Sequence, residues 1–455
     1  MAKLMVSISG IRGIVGDGLS PQVIVNFAQA FGTYMGNGKV VVGRDSRVTG
    51  PMVKHAVYCG LMAAGCDVID IGMCSTPTVQ MAVEHLKARG GIAITASHNP
   101  IEWNALKLID ATGLFLDEMQ GKNVIELVEK NKQQNVRWDQ IGKVESYDGA
   151  IDHHIKSILK LGIIDAKLIA SKKFKVVVDC VNGAGETILP ALLDQLGCKV
   201  TFINKEATGL FPRAPEPLPE NLNELCEKVK SVKADIGFAV DPDVDRLAIV
   251  SEQGKPLGEE YTLALAVNYV LQKKTGPIVV NASVTQAIDD IAAKYEREVV
   301  RTKVGEIFVA QKMREIKAII GGEGNGGVIL PELHLGRDAP LAIALTLQQL
   351  ALFGGVLSEL HQTLPQYFQA KNRIELKDLD VASLLDAIVQ KFKKEKKDQI
   401  DGLKILWQDK WVHIRPSNTE PIIRIYTEAK TAEEANALSF KFMKEIEDLT
   451  KKRSA

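Results

Sequence analysis

The sequence predicts an α/β protein with three similar mixed α/β domains and a smaller α+β C-terminal domain around a central cleft. Apolar β-type segments alternate with helical stretches, which is typical of parallel or mixed sheets covered by helices. This pattern occurs three times, and a chain of 455 residues has room for three or four domains. We place the domains at residues 1–148, 149–256, 257–367 and 368–455.

Each of the first three blocks contains three predicted strands. They cover 39–43, 66–71 and 91–95 in the first block, 175–179, 198–203 and 234–240 in the second, and 277–281, 298–301 and 317–321 in the third. The fourth block has strands at 404–407, 411–414 and 421–426, then a helix for which Thr431 and Glu434 form a capping box. The apolar stretch 340–355 is too short and polar to cross a bilayer and predicts a buried helix.

Composition excludes several classes of partner. Lys plus Arg and Asp plus Glu both number 56, so no charge excess favours nucleic acid or an anionic membrane. A locally basic site for a small anion remains compatible with this balance. The six cysteines are scattered without CxxC spacing, and the first residues lack the apolar core of a signal peptide. We therefore expect a cytoplasmic protein with reduced thiols.

A distinctive loop follows the third strand of each of the first three blocks. The loops are Thr-Ala-Ser-His-Asn-Pro at 95–100, Asp-Pro-Asp-Val-Asp-Arg at 241–246 and Gly-Glu-Gly-Asn-Gly-Gly at 322–327. Ligands of α/β sheets gather at loops beyond the carboxyl ends of the strands. We therefore expect three domains to contribute to one cleft.

The first loop places Ser97 where a buried strand gives way to an exposed turn. A serine there can act as a nucleophile or carry a phosphoryl group, although it can also simply cap the turn. His98 either contacts a ligand or orients a group that does. Lys107 follows ten residues later and can neutralise a phosphate or transfer protons.

The second loop alternates Asp241, Asp243 and Asp245 with apolar residues. In an extended segment these carboxylates share one face and repel one another unless a cation lies between them, and Mg²⁺ suits few protein ligands plus a phosphate. An EF-hand is excluded because the glycine and glutamate positions of its loop do not match. A solvated acidic turn is the alternative. Arg246 can hold a phosphate or balance the carboxylates.

The third loop is too rich in glycine for regular structure, and Glu323 and Asn325 within it can bind sugar hydroxyls. A flexible hairpin is the alternative, and a nucleotide P-loop is excluded because no Gly-Lys-Ser/Thr follows. A fourth loop, 415–421, concentrates hydrogen-bond donors that suit a phosphate, with Arg424 as a second positive charge. Its candidate ligands are Arg415, Ser417, Asn418 and Thr419. Arg12, between glycines, can approach the cleft, whereas His153 and His154 are expected at the surface.

These four loops, in this order, resemble the α-D-phosphohexomutase family, which includes phosphoglucomutase, phosphomannomutase and phosphoglucosamine mutase. The resemblance covers essentially the whole chain. It implies a phosphoserine at Ser97 and an Mg²⁺ ion held by that phosphate and the three aspartates. It implies sugar contacts from the third loop and a grip on the non-transferred phosphate by the fourth. It also implies that Arg12, Lys107 and Lys303 complete the cleft.

The sequence departs from many bacterial members of that family. Asn325-Gly326-Gly327 replaces Ser-Gly-His, and Val304-Gly305-Glu306 replaces a histidine-bearing loop, so no general acid or base is assigned. The glycine loop is similar to that of the archaeal-type subgroup. The implied activity interconverts hexose 6-phosphate and hexose 1-phosphate with a hexose 1,6-bisphosphate activator, with glucosamine phosphate ahead of glucose and mannose phosphates. A phosphatase and a non-catalytic sugar-phosphate sensor are the alternatives, and both monomer and homodimer remain open.

Overall fold

The computed structural model describes residues 4–375, 381–416 and 422–454. In these residues the chain forms four separate sheets, one within each predicted domain, with helices packed on them. The predicted α/β class with an α+β C-terminal part is therefore confirmed, while the predicted boundary residues stay predictions. All six cysteines carry free thiols, as the sequence predicts. In the part of the chain that the structure describes, no helix combines the length and apolarity needed to cross a membrane.

The first domain is built on an eight-stranded mixed sheet. Its strands are β1 (Met5–Ser7), β2 (Gly10–Val15), β3 (Gly18–Leu19), β4 (Gly38–Arg44), β5 (Cys66–Met73), β6 (Gly90–Ile94), β7 (Trp103–Asp110) and β8 (Val144–Ser146). They lie in the order β1-β2-β7-β6-β4-β5-β8, with β3 paired to β2. The helices are α1 (Pro21–Met35), α2 (Gly50–Ala63), α3 (Thr76–His85) and α4 (Glu118–Glu129).

The second and third domains share a four-stranded plan. The second contains α5 (Ala150–Leu159), α6 (Ala166–Lys172), β9 (Lys175–Asp179), α7 (Gly185–Gln195), β10 (Lys199–Ile203), α8 (Asn223–Val232), β11 (Ile236–Val240) and β12 (Leu247–Ser251). The third contains α9 (Glu259–Leu271), β13 (Ile278–Asn281), α10 (Ala287–Lys294), β14 (Val299–Thr302), α11 (Glu306–Ile316), β15 (Ile320–Glu323), β16 (Gly327–Ile329), α12 (Ala339–Phe353) and α13 (Leu357–Gln362). The sheet orders are β10-β9-β11-β12 and β14-β13-β15-β16.

In all three domains the distinctive loop reverses the chain into an antiparallel strand. The strand pairs β6 and β7, β11 and β12, and β15 and β16 are antiparallel. The three strands before each of these loops pair in parallel: β4 with β5 and β6, β9 with β10 and β11, and β13 with β14 and β15. The returning strands β7, β12 and β16 are absent from the sequence prediction. Each of them fixes the far end of its loop, so the three loops are tight connections with both ends anchored in a sheet.

The second and third domains share one continuous hydrophobic core. Helix α12 lies at its centre, and its first thirteen residues are buried. It begins at the N-cap Asp338 and ends at Gly354, which adopts the left-handed conformation. This confirms the buried helix predicted at 340–355. The amide oxygen of Gln348 accepts a hydrogen bond from the backbone N–H of Asp165, which accounts for one polar residue in the core.

The C-terminal domain has a five-stranded antiparallel sheet of order β17-β21-β20-β19-β18. Its elements are β17 (Phe368–Glu375), α14 (Val381–Lys391), β18 (Lys396–Asp398), β19 (Leu403–Leu406), β20 (Trp411–Pro416), β21 (Ile422–Ala429) and α15 (Ala432–Ser454). The hydroxyl of Thr431 accepts a hydrogen bond from the backbone N–H of Glu434 at 3.2 Å, which is one of the two hydrogen bonds of the predicted capping box.

Candidate active site

Ser97 of the first domain meets the aspartate triplet of the second. The hydroxyl of Ser97 donates a hydrogen bond to Oδ2 of Asp241 at 2.8 Å. Ser97 is almost fully buried, and its φ of 48° lies in the left-handed region. That conformation costs a non-glycine residue about 1–2 kcal/mol, so the surrounding contacts must hold the serine there.

Arg47, which the sequence prediction missed, supplies those contacts. Its guanidinium donates to the backbone oxygens of Ser97 and Asn99, each at 2.7 Å, and to those of Pro100 and Trp103 at 2.6 and 2.9 Å. The side chain is fully buried, and its charge is balanced by Asp45 at 3.1 Å. One cation therefore holds three carbonyls of the serine loop 95–100 and the first carbonyl of β7.

One side-chain hydrogen bond recurs at the ends of β4, β9 and β13, the first parallel strand of each repeat. Asp45, Asp179 and Asn281 each accept the backbone N–H of the residue two positions on. In the second domain Arg213 bonds to Asp179 at 2.6 Å and donates to the carbonyl of Val240, just before the aspartate loop. A polar residue at the end of each first strand was the signal that could have identified this support.

We expect Arg47→Lys to lower kcat by about 100-fold, because a lysine keeps the charge but reaches fewer of the four carbonyls, and small misplacements of a nucleophile cost rates of this order. Steady-state kinetics and thermal unfolding measure the effect. The exposed Arg137→Lys is the matched control and should leave both unchanged. An unaltered kcat in Arg47→Lys would show that the serine loop is held by other contacts.

The three aspartates converge, but not for the predicted reason. The segment is a turn, not an extended strand: the N–H of Val244 donates to the carbonyl of Asp241, and Val244 has a φ of 61°. One ligand atom from each of Asp241, Asp243 and Asp245 lies within 4.8 Å of the other two. All three are buried. The turn therefore achieves the shared face that the alternation predicted.

Cations balance this buried negative charge. Nζ of Lys107 lies 2.6 Å from Asp243 and 3.4 Å from Asp245. Burial, then the charges of Asp245 and Asp243, raise the pKa of Asp241 well above its ordinary value. Burial alone would raise the pKa of Asp245 too, but Arg337 and Lys107 outweigh it and lower that pKa. Burial and the charge of Asp245 act to raise the pKa of Asp243, but Lys107 and Thr76 outweigh them and lower it, so the ionised form is favoured at two of the three carboxylates.

The donor set of the triplet fits a hard divalent cation. Within the described residues, Oδ1 of Asp243 and Oδ1 of Asp245 are buried and have no hydrogen-bond partner. Buried carboxylate oxygens without partners are costly unless a cation binds them. Oxygen ligands from carboxylates, completed by a phosphate, are those that Mg²⁺ prefers. The residues present therefore fit the group that the sequence predicts.

The remaining predicted catalytic residues, and Arg246 of the predicted substrate-binding set, lie in or near the serine loop and the aspartate loop. Nη1 of Arg12 donates to Oδ1 of Asn99 at 2.7 Å. His98 is half-buried, and desolvation together with the charges of Arg246 and Arg12 lowers its pKa well below the ordinary value. Arg246 pairs with Glu216 at 2.7 Å. Lys107 pairs with the aspartates, as described above.

The glycine loop is more regular than predicted. Gly321, Gly322 and Glu323 belong to strand β15, and Glu323 pairs in register with Gly327 of β16, so the loop is a tight hairpin. Glu323 is buried, and its Oε1 accepts hydrogen bonds from Asn281 and from the N–H of Gly305, each at 2.9 Å. Nδ2 of Asn325 lies 3.5 Å from Oε2 of Glu323, so the two predicted sugar ligands are neighbours.

The loop at 415–421, which the sequence predicts to bind phosphate, falls partly outside the described residues. The predicted ligands Ser417, Asn418 and Thr419 lie outside the described residues. Arg415 and Arg424, on the two flanking strands, are direct partners in the β20–β21 register, so they share one face of the sheet. Arg415 is 3.9 Å from Asp401, whose carboxylate also accepts the N–H of Val304. Lys303 therefore lies in the segment where the third and fourth domains touch.

The expectation that His154 is a surface residue is wrong. His154 is fully buried between domains, with Nδ1 2.9 Å from the hydroxyl of Thr78 and Nε2 2.7 Å from Asp338. His334 contacts the same carboxylate at 3.0 Å. Asp338 caps α12 in the third domain and Thr78 belongs to α3 in the first, so these hydrogen bonds fix the two domains behind the cleft. The pattern of polar residues along α5 gave no sign of this partner.

The buried Ser97 hydroxyl bonds to a buried acidic triplet, and Arg337 links that triplet to the carboxylate-bearing hairpin, an arrangement that fits a phosphohexomutase, an intramolecular phosphotransferase of the isomerase class. The chain matches the phosphoglucomutase/phosphomannomutase models for α/β/α domains I, II and III at residues 4–135, 152–254 and 258–368, and for the C-terminal domain at 373–445. It belongs to the phosphoglucomutase/phosphomannomutase family.

Known relatives agree over the full length. A phosphoglucomutase/phosphomannomutase of Thermococcus kodakarensis is 40% identical over 94% of each chain. A probable phosphoglucosamine mutase of Methanopyrus kandleri is 38% identical over 96% of each chain. The crystal structure of a family protein from Burkholderia thailandensis superposes with a TM-score of 0.84 at 28% identity, covering 98% of each chain. The predicted family is thereby confirmed.

Proposed function

We propose that this protein interconverts glucosamine 6-phosphate and glucosamine 1-phosphate in the cytoplasm through a phosphoserine at Ser97. The observation that supports the proposal most directly is the 2.8 Å hydrogen bond from the Ser97 hydroxyl to Asp241. It places the hydroxyl of one domain beside the carboxylate cluster of the next, where a cation bound by that cluster would lie close to a phosphate on Ser97. Glucose and mannose phosphates are the alternative substrates.

The reaction consists of two phosphoryl transfers in opposite directions. In the first, the bond between phosphorus and Oγ of Ser97 breaks, a bond to the free hydroxyl oxygen of the sugar phosphate forms, and the proton of that hydroxyl ends on Oγ. The resulting 1,6-bisphosphate turns round in the cleft. Ser97 then accepts the other phosphoryl group and returns its proton to the sugar oxygen, so no phosphate is consumed.

The charges around Ser97 suit this chemistry. The aspartate triplet and the phosphate on Ser97 would hold Mg²⁺, which supplies positive charge against the oxygens of the transferring group. Lys107 and Arg12 add further cations to the cleft. The substrate-binding set comprises Glu323, Asn325, Lys303, Arg246, Arg415, Arg424, Ser417, Asn418 and Thr419.

A side-by-side kinetic comparison tests the choice of sugar. Glucosamine, glucose and mannose 1-phosphates are each assayed with Mg²⁺ and the matching 1,6-bisphosphate activator. Relatives 34–38% identical to this chain are named probable phosphoglucosamine mutases, which supports the highest kcat/KM for the glucosamine ester. A higher value for glucose or mannose would replace glucosamine as the proposed substrate.

Two measurements separate the mutase from its rivals. A phosphatase would release inorganic phosphate in step with loss of the sugar phosphate, whereas a mutase isomerises the sugar phosphate without net release. A non-catalytic sensor would bind sugar phosphates but show no added phosphate on Ser97 by intact mass after incubation with the bisphosphate.

A further inference from the structure

Arg337 joins the aspartate loop to the glycine hairpin. Nη2 lies 2.7 Å from Oδ2 of Asp245, and Nη1 lies 2.6 Å from Oε2 of Glu323. Nε lies 3.0 Å from Oε2 of Glu306 at the start of α11. One guanidinium therefore contacts the carboxylate of a proposed metal ligand and that of a proposed sugar ligand, which belong to different domains.

The path of Arg337 explains a departure seen in the sequence. Residue 327 is glycine, and a Cβ atom built there would lie 2.2 Å from Cδ of Arg337. The φ of Gly327 is not in the left-handed region, so the backbone itself would accept a side chain. The arginine side chain is what excludes one. The space over the hairpin is thus filled by the side chain of Arg337, from the loop before α12, and not by a side chain of the hairpin itself.

The backbone of Arg337 is held firmly. The next residue, Asp338, caps α12 and accepts hydrogen bonds from His154 and His334. The N–H of Ala339 donates to the carbonyl of Val244 in the aspartate loop. The guanidinium is therefore mounted on a rigid helix start beside the loop that it contacts.

We propose that Arg337 is a positioning residue that couples the two sites. It holds the carboxylate of Glu323 in place for the sugar, and it neutralises part of the Asp245 charge that would otherwise act on the metal ion. This inference rests on the proposed function. The two outer nitrogens of the arginine fork make both contacts at once with a fixed spacing, which the single nitrogen of a lysine does not reproduce. Removing the cation should therefore affect the two ligands in opposite directions, because the Oε2 atom of Glu323 loses its ion pair while Asp245 becomes fully available to a divalent ion.

Binding measurements on dephosphorylated protein test this coupling, because without phosphate on Ser97 no transfer occurs. In Arg337→Met we expect the Kd of glucosamine 6-phosphate to rise about tenfold and that of Mn²⁺ to fall at least about threefold. In Arg337→Lys we expect the Kd of glucosamine 6-phosphate to rise by about the same factor. The Kd of Mn²⁺ should stay within about twofold of the wild-type value, because the positive charge is retained. The exposed Arg297→Met should change neither Kd.

Three outcomes would overturn the inference. One is an unchanged sugar-phosphate Kd in both variants. Another is a rise in the Kd of both glucosamine 6-phosphate and Mn²⁺ together with a lowered unfolding temperature, which would assign Arg337 a merely structural role. If Arg337→Met does not fold, Arg337→Lys decides alone. The third is a wild-type protein that binds Mn²⁺ but neither binds nor isomerises any of the three sugar phosphates. It refutes the proposed function itself and is seen before any variant is made.

Discussion

Replacing Ser97 by alanine should abolish mutase turnover, by at least roughly 10⁴-fold, because the variant has no oxygen to carry the phosphoryl group. Binding of the sugar phosphate should persist, since the predicted sugar and distal-phosphate ligands lie in other domains. The variant keeps the backbone contacts of Arg47 to the serine loop, so its unfolding temperature should change little. Turnover, calorimetric binding and intact mass measure the three quantities.

The control for this variant is Ser231→Ala, which removes an exposed helix serine whose hydroxyl bonds only to a local carbonyl in the described structure. It should take up one phosphate from a 1,6-bisphosphate, as wild type does, whereas Ser97→Ala should take up none. Full turnover in Ser97→Ala, or phosphate on another residue of that variant, would contradict the role of Ser97.

Much of the site was predictable because its chemistry is concentrated in short loops. Ser97 and Asp241 follow the third strand of their repeats and Glu323 ends the third strand of its own, and equivalent positions in repeated α/β units lie at the same edge of their sheets. The identity of the donors, a hydroxyl, a carboxylate triplet and a carboxylate beside an amide, is written in the sequence. Their meeting in one cleft followed from the repeat.

The residues that support the site were not predictable in the same way. Arg47 acts on carbonyls that lie 50 to 56 positions further along the chain, and His154 reaches Asp338 across 184 positions. Arg337 lies in a connection without any glycine-rich or acidic signature. A buried cation of this kind is defined by the backbone that surrounds it, so its sequence neighbours carry little information about its partners.

Local geometry was also misjudged where the chain turns tightly. The aspartate triplet converges through a turn with Val244 in the left-handed region, which a β-branched residue seldom adopts. The glycine loop is a paired hairpin because its glycines permit close contacts: a Cβ on Gly322 would lie 2.1 Å from the carbonyl oxygen of Gly327. In both cases the side-chain types were informative and the backbone conformation was not.

Asp243→Asn should reduce mutase activity by roughly 10³-fold, because the triplet loses one of the charges that would hold Mg²⁺ against the transferring phosphoryl group. Oδ2 of Asp243 accepts hydrogen bonds from the hydroxyl of Thr76 and the ammonium group of Lys107. Oδ1 of Asp243 has no hydrogen-bond partner among the described residues, so it is available to bind a metal ion. In Asp243→Asn the side-chain amide would place either a neutral oxygen or an N–H group at the position of Oδ1.

The stability of this variant distinguishes a metal ligand from a structural residue. Because three buried carboxylates repel one another, neutralising one should leave the unfolding temperature of the metal-free protein within a few degrees of wild type. Added Mg²⁺ should raise the unfolding temperature of wild type, since a ligand that binds only the folded state stabilises it by mass action, and should raise that of Asp243→Asn much less. Asp139→Asn, which alters an exposed ion pair, should respond to Mg²⁺ as wild type does. An equal Mg²⁺ response in Asp243→Asn would mean that the ion binds elsewhere, and a large loss of metal-free stability would mean that Asp243 serves the fold through Lys107 and Thr76.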